Sequence, residues 1–240
     1  MIENAAVAEN IGAVRMKIDA FCREAGRTDR PLLLAATKTV PVEQINFAVR
    51  QCRITDVGEN KVQELLEKYD ALDRSVRLHF IGRLQKNKVK YIVGKVCLIH
   101  SVDSVRLLAE IERQSAKKEV VSDVLLEVNT GREPQKGGFF PEQLDEALQA
   151  AGDFPHVRVK GLMAVAPVCE KSEDIYNYFE ETYQKFIDIS GKKLHNVSME
   201  ILSMGMTDSF GEAIRAGSTL VRIGSAIFGK RYYENQNTIN

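Results

Sequence analysis

The sequence predicts a single α/β domain, a closed (β/α)8 barrel of the TIM type with an extra helix ahead of its first strand. Three observations carry that expectation. Eight short apolar runs begin near residues 31, 54, 77, 97, 123, 159, 199 and 220, and each gap is long enough for a helix and two loops. Several runs are continuously apolar, as in Leu32-Leu33-Leu34-Ala35-Ala36, which suits a parallel strand covered on both faces. The length, 240 residues, matches one such barrel. An open doubly wound sheet satisfies the same alternation, because closure leaves no mark on a sequence.

Taken in order, residues 2–25 place Val7, Ile11, Val14, Ile18 and Phe21 three and four apart, the pattern of an amphipathic helix that Gly26 ends. The first strand lies within 31–40, where Thr37, Lys38 and Thr39 break the apolar run and Val40-Pro41 turns the chain toward a new helix. Further strands are expected at 54–60 (ITDVGEN), 77–83 (RLHFIGR), 97–103 (CLIHSVD) and 123–130 (DVLLEVNT). The last three are expected at 159–167 (VKGLMAVAP), 199–206 (MEILSMGM) and 220–229 (LVRIGSAIFG). Helices fill the gaps at 61–69, 86–93, 104–118 with Asp103 or Ser104 as cap, 141–152, 172–191 and 208–216. The helix at 172–191 carries Ile175, Phe179, Tyr183 and Phe186 on one face. Residues 1–230 are thus one domain, with helix 1–25 packed on the barrel and 231–240 a polar tail that frays.

Hydrophobic residues make up 44% and charged residues 28%, the balance of a soluble protein with a sizeable core. The 33 basic residues equal the 33 acidic ones, so no overall field favours nucleic acid or an anionic membrane. Cys22, Cys52, Cys97 and Cys169 lie far apart without a CxxC pair, which reads as reduced thiols rather than a zinc site. The opening MIENAAVAEN, with Glu3 and Glu9, does not read as a signal peptide, and no run of about 18 apolar residues occurs. A cytoplasmic protein is expected. Lys86, Lys88 and Lys90 spread around a helix without interleaved aromatics and read as a solvated face, not a nucleic-acid patch.

In a barrel of this kind functional residues gather at the carboxyl ends of the strands, and the loops after strands seven and eight hold phosphate groups. Lys38 ends the first strand, where an apolar wall behind an amine favours its neutral, nucleophilic form. Ser203-Met204-Gly205-Met206 ends the seventh, just before Thr207-Asp208 and a helix start, and Arg222-Ile223-Gly224-Ser225 lies on the eighth. Both segments offer hydroxyls and glycine-flanked amides to an anion. A lysine facing a phosphate pocket suggests pyridoxal 5′-phosphate (PLP), an aldehyde with its own phosphate handle.

The segments AATKTV, DVGENKVQE, HFIGRLQKNK, EPQKGGF, LSMGMTDSFGEAIRAGST and VRIGSAIFG resemble the signatures of the pyridoxal phosphate homeostasis protein family, whose fold is similar to the barrel domain of alanine racemase. The likeness spans roughly residues 31–229. It implies that Lys38 carries PLP as a Schiff base, that Ser203, Gly205, Gly224 and Ser225 surround the phosphate with the Met204 backbone close by, that Arg222 faces the pyridine nitrogen, and that Asn60 lies near the ring. Thr207 stands where the family often has serine, which keeps a hydroxyl. The implied function is covalent, reversible PLP binding in vitamin B6 homeostasis without substrate turnover, with PLP-dependent apoenzymes as recipients and a monomer or weak homodimer as the working form. A racemase-like PLP enzyme is the alternative, and a barrel aldolase using Lys38 is a third reading.

Arg222 argues against ordinary PLP catalysis. Arginine only donates hydrogen bonds, so it leaves the ring nitrogen unprotonated and weakens the electron sink that an acidic partner would enforce. The chain also ends soon after strand eight, so the added domain that supplies a tyrosine base in alanine racemases is not expected here; Tyr232 and Tyr233 read as surface or edge residues. His79, inside the third strand, either faces the cofactor or is a satisfied core histidine. His100, His156 and His195 have no evident partners and receive no role. Lys136, in the glycine-bearing loop EPQKGGF, reads as a solvated loop lysine, with a second amine for PLP transfer as the sharper alternative.

Overall fold

The structure, a computed structural model, describes residues 2–229. It opens with α1 (Asn4–Glu24), and β1 (Leu32–Ala36) then leads through α2 (Val42–Cys52) to β2 (Asp56–Glu59). α3 (Val62–Tyr69) connects to β3 (Arg77–Phe80), a 3-10 turn at Lys86–Lys88 and α4 (Val89–Ile92) to β4 (Leu98–Val102), and α5 (Val105–Lys117) to β5 (Ser122–Val128). α6 (Leu144–Gly152), β6 (Val157–Ala164), α7 (Ser172–Ser190), β7 (Val197–Met204), α8 (Phe210–Arg215), β8 (Leu220–Ile223) and α9 (Ser225–Phe228) complete the order.

The strands pair in parallel and in sequence order, and β8 returns to β1 with Leu220 opposite Leu32 and Arg222 opposite Leu34. That last pairing closes the ring and decides for the barrel over the open sheet. Strand alternation then divides the buried residues into two layers. Outward positions such as Ala35, Val57, Phe80, Ile99, Val124, Leu162, Leu202 and Val221 join the helices in one large apolar core. Inside the barrel Leu98, Leu125 and Met163 pack together with Ile201 against them, and Leu34 and Leu220 are buried on the same inward side. The branched aliphatic side chains that usually fill a barrel of this type give way here to Asp56, His79, His100, Ser203 and Arg222, all buried.

The elements form where local chemistry allows them. Ser104 caps α5, its Oγ accepting the Leu107 amide at 3.3 Å. In α1 the buried stripe is Val7, Ile11, Val14, Ile18 and Cys22. Phe21 packs edge-on against Phe210, with ring centroids 5.5 Å apart. The expected eighth strand at 220–229 is shorter than the apolar run that suggested it. Pairing stops at Ile223, and the Gly224 carbonyl accepts the amides of Ile227 (3.0 Å) and Phe228 (2.9 Å), which starts α9. Ile227 is apolar because α9 docks on α1, where Asn10 Nδ2 donates to its carbonyl at 3.0 Å. The lysine series after β3 does have an aromatic neighbour, with Lys88 and Lys90 lying 5.8 and 5.0 Å from the Tyr91 ring centre. The four cysteines are free thiols. Residues 231–240, including Tyr232 and Tyr233, lie outside the described residues.

Candidate cofactor-binding site

β1 delivers Lys38 on a turn that is clamped from below. Thr37 is buried, and its hydroxyl donates to Glu59 Oε1 at 2.7 Å. Lys68 Nζ donates to the same carboxylate oxygen at 2.7 Å and to the Thr37 carbonyl at 2.9 Å. On the far side the Thr39 amide donates to Glu64 Oε2 at 2.8 Å. Thr39 takes φ 64°, a left-handed conformation that a β-branched residue adopts only when its surroundings impose it. Lys38 is half-buried, and its amine has no hydrogen-bond or ion-pair partner among the described residues.

Inward from that turn, at the carboxyl ends of the strands, lies a cavity of about 460 Å³. Ala36, Ile81 and Val165 give it apolar walls, while Asn60, Thr207, Arg222 and Ser225 supply polar groups. Ser225 Oγ donates to Thr207 Oγ1 at 3.1 Å, so two hydroxyls converge at one end. The amides of Ser225 and Ala226 open α9 there and take no intrahelical acceptor. Two glycines make the approach possible. Gly205 has φ +85°, and a Cβ on it would sit 2.6 Å from Ala213 Cβ and 2.9 Å from Phe210 Cα. A Cβ on Gly82 would sit 2.0 Å from the Asn60 carbonyl, so only glycine lets the loop after β3 pack against the residue that lines the cavity. A second, apolar cavity of about 290 Å³ adjoins the first, with Val165, Met206 and Arg222 in both walls.

Arg222 forms part of the cavity wall and is itself buried. Nη1 donates to the Ser203 carbonyl (2.7 Å) and hydroxyl (2.5 Å), and Nη2 to the Ala164 carbonyl (3.0 Å), leaving Nε–H and one Nη2 hydrogen without a partner among the described residues. Burial pushes its acidity up, to a pKa of about 10, while the Glu127 charge works the other way. Glu127 follows Leu125 by two positions on β5 and therefore also faces the interior. Its carboxyl is pushed up to about 7, first by burial and then by Asp103, against the opposing pull of Arg222 and Arg83. Below Arg222 the polar column continues. Ser203 Oγ lies 3.0 Å from His100 Nδ1, His100 Nε2 lies 2.9 Å from His79 Nδ1, and His79 Nε2 lies 2.8 Å from Asp56 Oδ1.

Residues 10–232 match the family model described as alanine racemase, N-terminal domain. A pyridoxal phosphate homeostasis protein of Aquifex aeolicus (strain VF5) is 44% identical over 227 residues, 94% of this chain and 98% of the relative. The chain belongs to the pyridoxal phosphate homeostasis protein family. Two solved structures share its fold throughout. A protein of unknown function from Bifidobacterium adolescentis superposes with a TM-score of 0.90 at 30% identity, over 95% of this chain and 98% of that one. PipY of Synechococcus elongatus PCC7942, solved with PLP bound, gives 0.80 at 26% identity, over 93% and 100%.

In this member of the pyridoxal phosphate homeostasis protein family, Asn60, Arg222, Gly224 and Ser225 come together in the wall of the main cavity. Gly205 borders the adjoining one. Lys38 stands beyond Ala36, at the rim rather than in the wall. Ser203 is in the wall of neither cavity, its hydroxyl bonded to Arg222 and His100. Met204 points its side chain outward into the helix layer, and its carbonyl accepts from Ser218 Oγ at 3.1 Å. His100, to which sequence reasoning assigned no role, has two buried partners, and His79 is a satisfied core histidine within the same column. Glu127 was missed altogether; the signal for it was the one acid in the apolar run VLLEV. Lys136 is exposed and paired with Glu133 at 2.5 Å. Among the described residues no cluster of three metal-ligating side chains occurs, and no helix is long and apolar enough to cross a membrane.

Proposed function

We propose that the chain is a PLP carrier in vitamin B6 homeostasis, holding the cofactor covalently and reversibly through Lys38 without turning over a substrate. The observation that carries this reading is the composition of one cavity. It has apolar walls, the free Nε–H of a buried arginine, and a hydroxyl pair beside open amides at one end. That set of groups fits a phosphorylated pyridine. Bound there, PLP supplies an electrophilic aldehyde carbon. Lys38 Nζ, which no neighbouring acid engages, is the nucleophile for it. The turn clamped by Glu59, Glu64 and Lys68 aims that amine. Ser225, Thr207 and the first amides of α9 hold the phosphate, with Gly205 and Gly224 allowing the backbone to approach; Asp208, exposed to solvent, lines the cavity beside them. Arg222, a donor only, keeps the ring nitrogen unprotonated and so holds the cofactor chemically quiet. Asn60 flanks the ring. PLP-dependent apoenzymes are the proposed recipients, and a cytoplasmic monomer or weak dimer the proposed working form. The test is borohydride reduction of protein incubated with PLP, followed by peptide mapping. Label is expected on Lys38 and absent from Lys38→Ala, whereas label on another lysine would overturn the reading.

One observation favours a second reading. Glu127, a half-buried, inward-facing carboxyl brought close to 7, is suited to exchange a proton with a bound amino acid. That reading, a racemase-like enzyme, requires stereospecific exchange at the α carbon of an amino acid in deuterated water, abolished by Glu127→Gln.

A further inference from the structure

The barrel interior holds an unbroken run of hydrogen bonds from Arg222 at the mouth to Asp56 near the amino ends of the strands. Arg222 Nη1 meets Ser203 Oγ, Ser203 meets His100, His100 meets His79, and His79 meets Asp56, at 2.5, 3.0, 2.9 and 2.8 Å. Every member is buried. Beyond Asp56 the run reaches solvent, because Arg77, 59% exposed, pairs with that carboxylate at 2.8 Å and Thr55 donates to it at 2.6 Å.

The two ends set the direction of every proton between them. Guanidinium can only donate, so Ser203 Oγ accepts from Arg222 and keeps its own proton to donate to His100 Nδ1, which is bare when both rings are neutral and Asp56 accepts from His79. An accepting Nδ1 puts the His100 proton on Nε2, from which it is donated to His79 Nδ1. His79 in turn carries its proton on Nε2 and donates it to the Asp56 carboxylate. With both imidazoles neutral and in this one tautomer, each donor in the run has an acceptor. One added proton on the pair reverses the direction: His100 would then donate to a serine oxygen that already accepts from Arg222, and the Ser203 proton would lose its acceptor. Burial, reinforced by the Arg222 charge, lowers the His100 pKa well below 6.5, in keeping with the neutral arrangement.

We infer that Asp56, His79, His100 and Ser203 are positioning residues that lock Arg222 in place through a single-tautomer hydrogen-bond relay, so that its free Nε–H stays aimed into the cavity at the cofactor ring. The inference deepens the PLP reading and rests on it for the identity of what Arg222 faces. Aligned hydrogen bonds polarise one another, so the Asp56 end strengthens the serine oxygen as acceptor for the guanidinium. None of the four residues lines the main cavity; they act through Arg222.

Two measurements test it. In PLP-free protein, nitrogen-15 NMR of the histidine rings at pH 7 is expected to find His79 and His100 both neutral with the proton on Nε2; a doubly protonated ring or an Nδ1–H tautomer at either would overturn the relay whatever binds in the cavity. The second measurement compares His100→Leu, which cuts the run, with His100→Gln, whose amide can accept from Ser203 and donate to His79. PLP is expected to leave His100→Leu about tenfold faster than wild type, with a shifted visible absorption band, and His100→Gln to restore both. Wild-type release from His100→Leu, or a His100→Gln variant no better than His100→Leu, would overturn it. If His100→Leu does not fold, the NMR result decides. A wild-type protein that takes up no PLP at all would sink the carrier reading and leave the ring-tautomer result standing by itself.

Discussion

Glu59 and Lys68 carry opposite charges into a nearly dry site, with side-chain exposures of 1% and 13%. Removing one partner of such a pair strands the other, which costs about 3–5 kcal/mol, whereas removing both together costs far less. Lys68→Met is therefore expected to destabilise the protein by about that amount, and Glu59→Gln/Lys68→Met to recover most of it. Urea denaturation of the two variants checks this; equal losses in both would mean that the pair does not act as a unit. Lys38 itself was legible as a strand-end amine because an apolar run stops abruptly at it. The clamp beneath it was not, since Glu59, Glu64 and Lys68 meet the turn only when α3 folds back over β1. His100 was illegible for the same reason: its partners, His79 and Ser203, come from two other strands.

At the level of elements, β8 and α9 show how an apolar run can serve two structures. Ala226-Ile227-Phe228 continues the composition of the strand but packs on α1, so the sequence pattern overran the true strand end. The consequence is functional, because the early stop at Gly224 brings the first amides of α9 and the Ser225 hydroxyl to the cavity. Ser225→Ala and Thr207→Val are each expected to weaken PLP binding about tenfold, by the loss of one hydrogen bond to a charged group, while leaving thermal stability within about 0.5 kcal/mol of wild type. Equilibrium titration followed by absorbance checks the first expectation and calorimetry the second. In α5, where the cap is visible in both sequence and structure, Ser104→Ala is expected to cost about 1 kcal/mol, measurable as a lower urea midpoint.

Across the whole molecule the charged interior ties stability to pH through two opposing groups. His100 is held below 6.5 in the folded state, so below that pH the unfolded chain takes up a proton that the folded one refuses, and stability falls as pH falls. Glu127 is raised from 4.5 to about 7, so between those values the folded chain holds a proton that the unfolded one releases, and stability falls as pH rises. Wild-type stability should therefore be nearly flat between pH 4.5 and 6.5. Glu127→Gln should unmask the His100 slope, up to about 1.4 kcal/mol lost per unit of pH below 6.5, and denaturant melts at several pH values would reveal its absence. By itself the sequence determined the alternation of strands and helices, the α/β class, and the lysine, arginine and glycine-serine segments at the strand ends, because these rest on local periodicity and on motifs contiguous in the chain. Closure of the ring, the burial of Ser203, the interior placement of Glu127 and the column from Arg222 to Asp56 were decided only by tertiary structure. Each depends on which residues of separate strands point inward at the same height, and strand register is a property of the closed sheet that no single segment encodes.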